Sequence, residues 1–211
     1  MVEQDWRGRW AEGRTGWHEP EGNAGLHAAW STLAEHTSVL VPLCGKSPDL
    51  LWLAKRGHKV TGIELSEIAV RDFFAENAIE YDTAREGRLD RYSAVGWPLT
   101  LYCGDYFEFS GHTFDALYDR GALVALPVDL RGRYIQHTKN LLRHGARKMI
   151  ITLEYDQAVV GGPPFSVPES EISTYWDDLK CVSKKDDIDN CPPKFRAAGL
   201  KEVKELVWLS E

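Results

Sequence analysis

The sequence predicts an α/β fold built on a doubly wound, mostly parallel sheet, with an antiparallel element at the C-terminal edge. Three observations carry that expectation. From residue 26 onward, apolar runs of strand length alternate with segments of helix length. The first run closes on the turn Leu43-Cys44-Gly45, and the second ends in an acid, Glu64, 19 residues beyond Gly45. An apolar run at residues 206–209 supplies the last, strand-like element.

The elements follow in order. Residues 1–25 carry Trp6, Trp10 and Trp17 among polar residues and five glycines, with too few aliphatics for a core element. Their large flat surfaces suit a lid over a ligand, and a floppy terminus is the alternative. Residues 26–35 read as a helix and 38–42 as a buried strand. Ser47 is a natural N-cap, Pro48 suits the first helical position, Leu50, Leu51 and Leu53 form the apolar face, and Gly57 marks the stop. Residues 59–63 form the next strand. Ser66 caps a helix to about Asn77, with Ile68, Ala69, Phe73 and Phe74 on overlapping faces. Short strands follow at 89–92 and 99–103, turned by Gly96-Trp97-Pro98, and another at 114–118. Leu130, Tyr134, Leu141 and Leu142 keep helical spacing, and 149–153 is a continuous buried strand.

Composition narrows the function. At 211 residues, a single domain over 1–211 is expected, and its core can be well buried. A net charge of −7 argues against a nucleic-acid partner, which would call for a basic face. The first residues lack an apolar signal region and no stretch is long enough to span a bilayer, so a cytoplasmic protein without a membrane partner is expected. Cys44, Cys103, Cys181 and Cys191 form no C-x-x-C pair and have no histidine at metal spacing. Reduced thiols and no metal are the expectation.

The motifs gather at strand ends. Gly45-Lys46-Ser47 resembles the end of a phosphate-binding loop, but Leu40 stands where that loop needs its first glycine, so no anion nest forms. The turn instead suits close backbone approach to a small ligand. Glu64 is placed to grip ribose hydroxyls; capping of the next helix is the alternative, and Ser66 already fills that role. This geometry alone serves a dinucleotide or another nucleoside cofactor equally. Asp105 and Tyr106 follow a strand end, where an acid accepts from an adenine amino group and an aromatic stacks on the ring. A solvated loop acid with a core tyrosine is the alternative there. Asp119-Arg120-Gly121-Ala122 puts a permanent cation at another strand end; a surface ion pair with Asp119 is its plain reading. Gly161-Gly162-Pro163-Pro164-Phe165 is a rigid turn fit to wall the same crevice, and His18 stands beside Trp17.

These motifs together resemble the thiopurine S-methyltransferase family nearly end to end. The likeness covers Trp6-x-x-x-Trp10 with Thr15-Gly16-Trp17-His18, Pro42 through Trp52, and Arg56-Gly57-His58 through Glu67. It continues through Phe73-Phe74, Leu101-Tyr102-Cys103, Tyr118 through Val124, and Gly162-Pro163-Pro164-Phe165. The resemblance implies a class I methyltransferase fold, a monomer, and S-adenosylmethionine as cofactor, leaving as S-adenosylhomocysteine. It implies cofactor contacts at Trp10, Leu43, Glu64, Arg120, Asp105 and Tyr106, and through the segment containing Gly45. Trp17 falls where the family carries a phenyl, beside His18 on the acceptor side; Lys194 or Arg196 corresponds to a basic substrate residue. Arg120 would favour an anionic nucleophile or orient the cofactor carboxylate, and Asp119 could accept a thiol proton. The implied reaction is methyl transfer to a soft nucleophile, foremost a small or aromatic thiol, thiopurines included. Halide, thiocyanate, selenium or tellurium acceptors are the alternatives within the family, and a non-catalytic cofactor-binding module the alternative outside it.

Overall fold

The computed structural model describes residues 2–30 and 37–210. In chain order its elements begin with α1 (Val2–Ala11), α2 (Ala24–Ala29), β1 (Ser38–Pro42), α3 (Asp49–Lys55) and β2 (Lys59–Glu64). Next come α4 (Glu67–Glu76), β3 (Tyr81–Glu86), β4 (Leu89–Ala94), β5 (Leu99–Cys103) and β6 (Phe114–Asp119). The chain ends with α5 (Val128–Leu141), β7 (Leu142–Glu154), α6 (Glu169–Tyr175), β8 (Leu179–Asp186), α7 (Lys194–Ala197) and β9 (Lys204–Ser210).

The strands form one sheet in the order β3-β4-β5-β2-β1-β6-β7-β9-β8. β5, β2, β1, β6 and β7 run parallel to one another, while β9 and β8 extend the sheet antiparallel beyond β7 and β4 and β3 beyond β5. Alternation along the central strands explains why both faces are covered. Leu40 and Ile150 point into one core with Tyr134, Leu141 and Ile172 of α5 and α6. Val39, Val41, Met149 and Ile151 point into the other with Leu50, Leu53, Phe73 and Phe74 of α3 and α4. Each fully buried side chain of this size contributes about 1.5–3 kcal/mol, so both helical layers are firmly seated. Gly62 leaves room for its neighbours on the sheet face: a Cβ there would meet Leu101 of β5 at 2.6 Å, Cys44 Sγ at 2.7 Å and Leu50 of α3 at 3.2 Å.

The expected elements recur with local shifts. The helix expected over 26–35 begins earlier, at Ala24, because Asn23 caps it by accepting from Leu26 N–H. It ends at Ala29, and residues 31–36 lie outside the described residues. The start of α3 is shifted by one residue from the expected one: Pro48, not Ser47, takes the N-cap position and Asp49 begins the helix, while Ser47 Oγ accepts from Asp49 N–H at 3.2 Å from one residue before the cap. The N-terminal segment, for which the sequence predicts a lid or a floppy terminus and no particular element, forms α1 over residues 2–11. β3 and β8 were not expected, since both are edge strands with almost wholly exposed, polar faces. Their pairing comes from the neighbour's backbone rather than from apolar burial.

Candidate active site

The strand order reverses at β1, which pairs with β2 on one side and β6 on the other. Beyond the carboxyl ends of these strands lies the crevice where open α/β sheets bind ligands. It holds a cavity of about 770 Å³, within the usual range for small-molecule sites.

The turn after β1 forms one wall. Leu43 has φ +48° and Gly45 φ +55°. A left-handed leucine costs about 1–2 kcal/mol and persists only where its surroundings demand it. Gly45 N–H donates to Glu64 Oε2 at 2.8 Å, and Ser66 N–H donates to Oε1 at 2.8 Å. Glu64 therefore corrects one expectation. Ser66 caps α4 through Ala69 N–H, yet this does not release Glu64 from the backbone, because its carboxylate ties the β1 and β2 turns together. Burial raises its pKa, and the amides of Ser66, Gly45 and Leu65 oppose the shift.

At the end of β5, Asp105 Oδ1 accepts from Phe107 N–H at 2.9 Å. Tyr106 lines the cavity, but its ring packs on Tyr134 and His137 and its hydroxyl meets Thr138 Oγ1 at 2.9 Å. The tyrosine is thus held as a wall of the core rather than as a free stacking ring.

At the end of β6, Asp119 and Arg120 point to opposite sides. Asp119 is 1% exposed and does not line the cavity. Its Oδ1 accepts from Ala122 and Leu123 N–H, and its Oδ2 accepts from the Tyr134 hydroxyl at 2.7 Å. Burial pushes its pKa up to about 6. The structure corrects the expectation that Asp119 takes a thiol proton: its carboxylate organises the turn that follows β6. Arg120 faces the cavity and pairs with Glu19, not Asp119, while donating to Trp17 O at 3.0 Å.

The N-terminal segment roofs the site. Trp10 is 6% exposed, and its indole stands 3.2 Å from where a Gly45 Cβ would lie. Trp17 meets Trp6 and Trp10 edge-on at 5.0 and 5.8 Å. His18 lines the cavity with its pKa lowered by burial and then by Lys46.

The half of the cavity under β7 and β9 is bounded by Ile151, Leu153, Pro163, Pro164, Glu205 and the 187–194 loop. Lys194 stands at its rim and donates to Gly161 O at 2.9 Å and Pro163 O at 2.8 Å. Burial, then Arg9, lowers its pKa. Arg196 is absent from the cavity; it is exposed and paired with Asp189, because two helical steps in α7 turn it to the opposite side from Lys194. Cys191 lines the cavity as a free thiol, pushed up to about 12 by burial and by Asp187.

Sequence reasoning missed Glu19, Asn23, Asp49 and Glu205. Asn23 donates through its side chain to Glu19 and Glu205 and through its backbone to Asp49, which also accepts from Tyr118 Oη at 2.7 Å. Glu19 and Asn23 are four residues apart, but Asp49 and Glu205 lie far along the chain from them. Only the place of Glu19 beside His18 could have drawn attention to it.

The residues fit S-adenosylmethionine. A buried acid closes β2, a second acid closes β5, the turn after β1 is open to backbone approach, and a cation closes β6. That donor and acceptor set suits ribose, adenine and an amino-acid carboxylate in turn.

Known proteins place the chain in the same terms. By fold it is similar to an S-adenosylmethionine-dependent methyltransferase from Anabaena variabilis (TM-score 0.65, 14% identity, 100% of this chain and 96% of that one). It is similar also to the 1,6-didemethyltoxoflavin-N1-methyltransferase of Burkholderia thailandensis, solved with S-adenosylhomocysteine bound (TM-score 0.63, 20% identity, 99% and 87% coverage). By sequence it is 43% identical over 215 residues to the thiopurine S-methyltransferase of Aliivibrio fischeri, covering 100% of both. It is 40% identical over 213 residues to that of Pseudomonas putida, covering 96% of both. The family model for thiopurine S-methyltransferase matches residues 1–211, and the chain belongs to that family.

Proposed function

We propose that this S-adenosylmethionine-dependent methyltransferase acts on a small or aromatic thiol of the thiopurine type, taken as its anion. The observation that carries the reading is one cavity at the switch point that spans both sides of β6. Leu43, Glu64 and Asp105 line it at the ends of β1, β2 and β5, Ile151, Leu153 and Glu205 line it from β7 and β9, and Arg120 stands at the end of β6 between them. When bound, the cofactor supplies a methyl carbon that is already electrophilic on its sulfonium.

The chain then has to bind, align and exclude water. Glu64 would hold the ribose hydroxyls, with Asp105 toward the base. Trp10 and Trp17 roof the site and keep water out. Arg120 and Lys194 favour a negatively charged acceptor, so a thiolate arrives ready to react and needs no obligatory base. Trp17, His18 and the Pro163-Pro164 wall bound the acceptor. We take the protein to act as a monomer. Among the described residues no helix is long and apolar enough to cross a membrane, in keeping with the cytoplasmic location we infer.

Transfer of radiolabelled methyl to 6-mercaptopurine, thiophenol, iodide, thiocyanate and selenite tests the reading. Thiols should exceed iodide in kcat/KM by at least about tenfold. Preference for iodide would install the halide alternative, and transfer to none of them would leave a binding module.

A further inference from the structure

One buried cation is not used in this account. Arg131 of α5 is 2% exposed and reaches in three directions. Its Nε donates to Leu126 O at 2.9 Å, its Nη2 to Ser166 O at 3.2 Å, and its Nη1 to both oxygens of Glu171 at 2.8 and 2.7 Å. Glu171 Oε1 also accepts from the Tyr175 hydroxyl at 2.8 Å.

The two carbonyls belong to different walls of the cavity. Leu126 ends the turn after β6, whose Val124, Ala125 and Leu126 line the site. Ser166 ends the segment that carries Pro163 and Pro164, which also line the site. The walls meet directly at one point, where Phe165 N–H donates to Val124 O at 2.6 Å. The rest of the proline wall is held by side chains: Tyr155 Oη donates to Pro164 O at 2.7 Å, and Lys194 holds the rim. A buried ion pair adds little net stability over apolar packing, which leaves geometry as its role. Here that geometry is the spacing between two walls.

We propose that Arg131 is a positioning residue which, through Glu171 and Tyr175, clamps the 156–165 segment to the turn after β6 and sets the width of the acceptor half of the cavity. The assignment to the acceptor half rests on the methyltransferase reading above. The cofactor residues Leu43, Glu64 and Asp105 stand at the ends of β1, β2 and β5, on the other side of β6. Loosening the clamp therefore acts on the acceptor and spares the cofactor.

Two substitutions in the full chain test this. Tyr175→Phe removes one hydrogen bond to Glu171 and keeps the ion pair; Glu171→Gln removes the charge. The mild variant keeps the test open should Glu171→Gln fail to fold. The KM for 6-mercaptopurine should rise about twofold in Tyr175→Phe and about tenfold in Glu171→Gln, following the share of the interaction lost. The S-adenosylhomocysteine Kd, measured by calorimetry, should stay within about twofold. Chymotrypsin cleavage after Tyr155 and Phe165 in the folded protein should accelerate in the same order. A purely structural ion pair would lower thermal stability and leave acceptor KM and cleavage of this segment unmoved. That result, or a cofactor Kd that worsens as much as the acceptor KM, overturns the clamp. If the unaltered protein methylates no thiol, the failure belongs to the methyltransferase reading, and segment cleavage with cofactor affinity still decides the clamp.

Discussion

Glu64 ties two turns together through backbone amides, and the same carboxylate is the group proposed to meet ribose. Charge-assisted hydrogen bonds are worth about 1.5–3 kcal/mol, so Glu64→Ala should weaken S-adenosylhomocysteine binding by about ten- to hundredfold. Calorimetry on a variant with unchanged circular dichroism checks this; unaltered affinity would remove Glu64 from the site. Asp119 makes the contrasting case. Its folded pKa, about 6, lies above the ordinary carboxyl value. Between the two values the folded protein binds a proton that the unfolded chain has released. Stability from this group therefore falls as pH rises from about 4 to about 6, and is level above that. Asp119→Asn lacks the effect. Its stability relative to the unaltered protein should improve by on the order of 2 kcal/mol between about pH 4.5 and pH 7, read by urea unfolding. A constant difference across that range would show that the carboxyl does not titrate there.

α1 and the segment after it act as one unit over the cavity. Trp6, Trp10 and Trp17 pack on one another, and Arg120 anchors the segment through Glu19 and Trp17 O. We read this unit as a lid. The strands and helices that make both cores begin after it, apart from Trp10 itself and the contact of Trp10 with the Gly45 turn. Deleting residues 1–18 should abolish methyl transfer and leave the remaining domain folded. Full activity in the truncated protein would refute the lid. S-adenosylhomocysteine should also protect residues 1–25 from protease and change tryptophan fluorescence, a change that Trp10→Phe largely removes.

At the scale of the whole molecule, a chain of net charge −7 lines its cavity with six Lys or Arg and six Asp or Glu, so charge there is balanced and its placement decides what is favoured. Arg120 and Lys194 reward an acceptor that is already ionised. For a series of thiols, kcat/KM should therefore rise with pH up to each thiol's own pKa and then level off. One pKa common to every acceptor would restore an enzyme base to the mechanism. Glu19 would then be the residue to substitute, since it lines the cavity and Asp119 does not.

The central sheet was legible because a strand covered on both faces must be apolar over a short run, and β1, β2, β6, β7 and β9 all are. The turn at Leu43–Gly45 and the acid at Glu64 were legible for a related reason, as their spacing is local to one β-turn-α-β unit. Edge strands β3 and β8 left no such trace, because their exposed side chains do not have to be apolar. Neither spacing nor propensity could tell which way a side chain turns at a strand end. Only the tertiary structure sent Arg120 to the cavity and Asp119 into the fold, and put Lys194 rather than Arg196 at the rim. It alone joined Asn23 to Glu205 and Arg131 to Ser166, partners separated by 182 and 35 residues. Local sequence determined the sheet, the ligand-binding edge and the family, because each depends on patterns a few residues long. The direction of each charge at the site is set by which distant backbone groups it must satisfy when buried, and these meet only once the chain has folded.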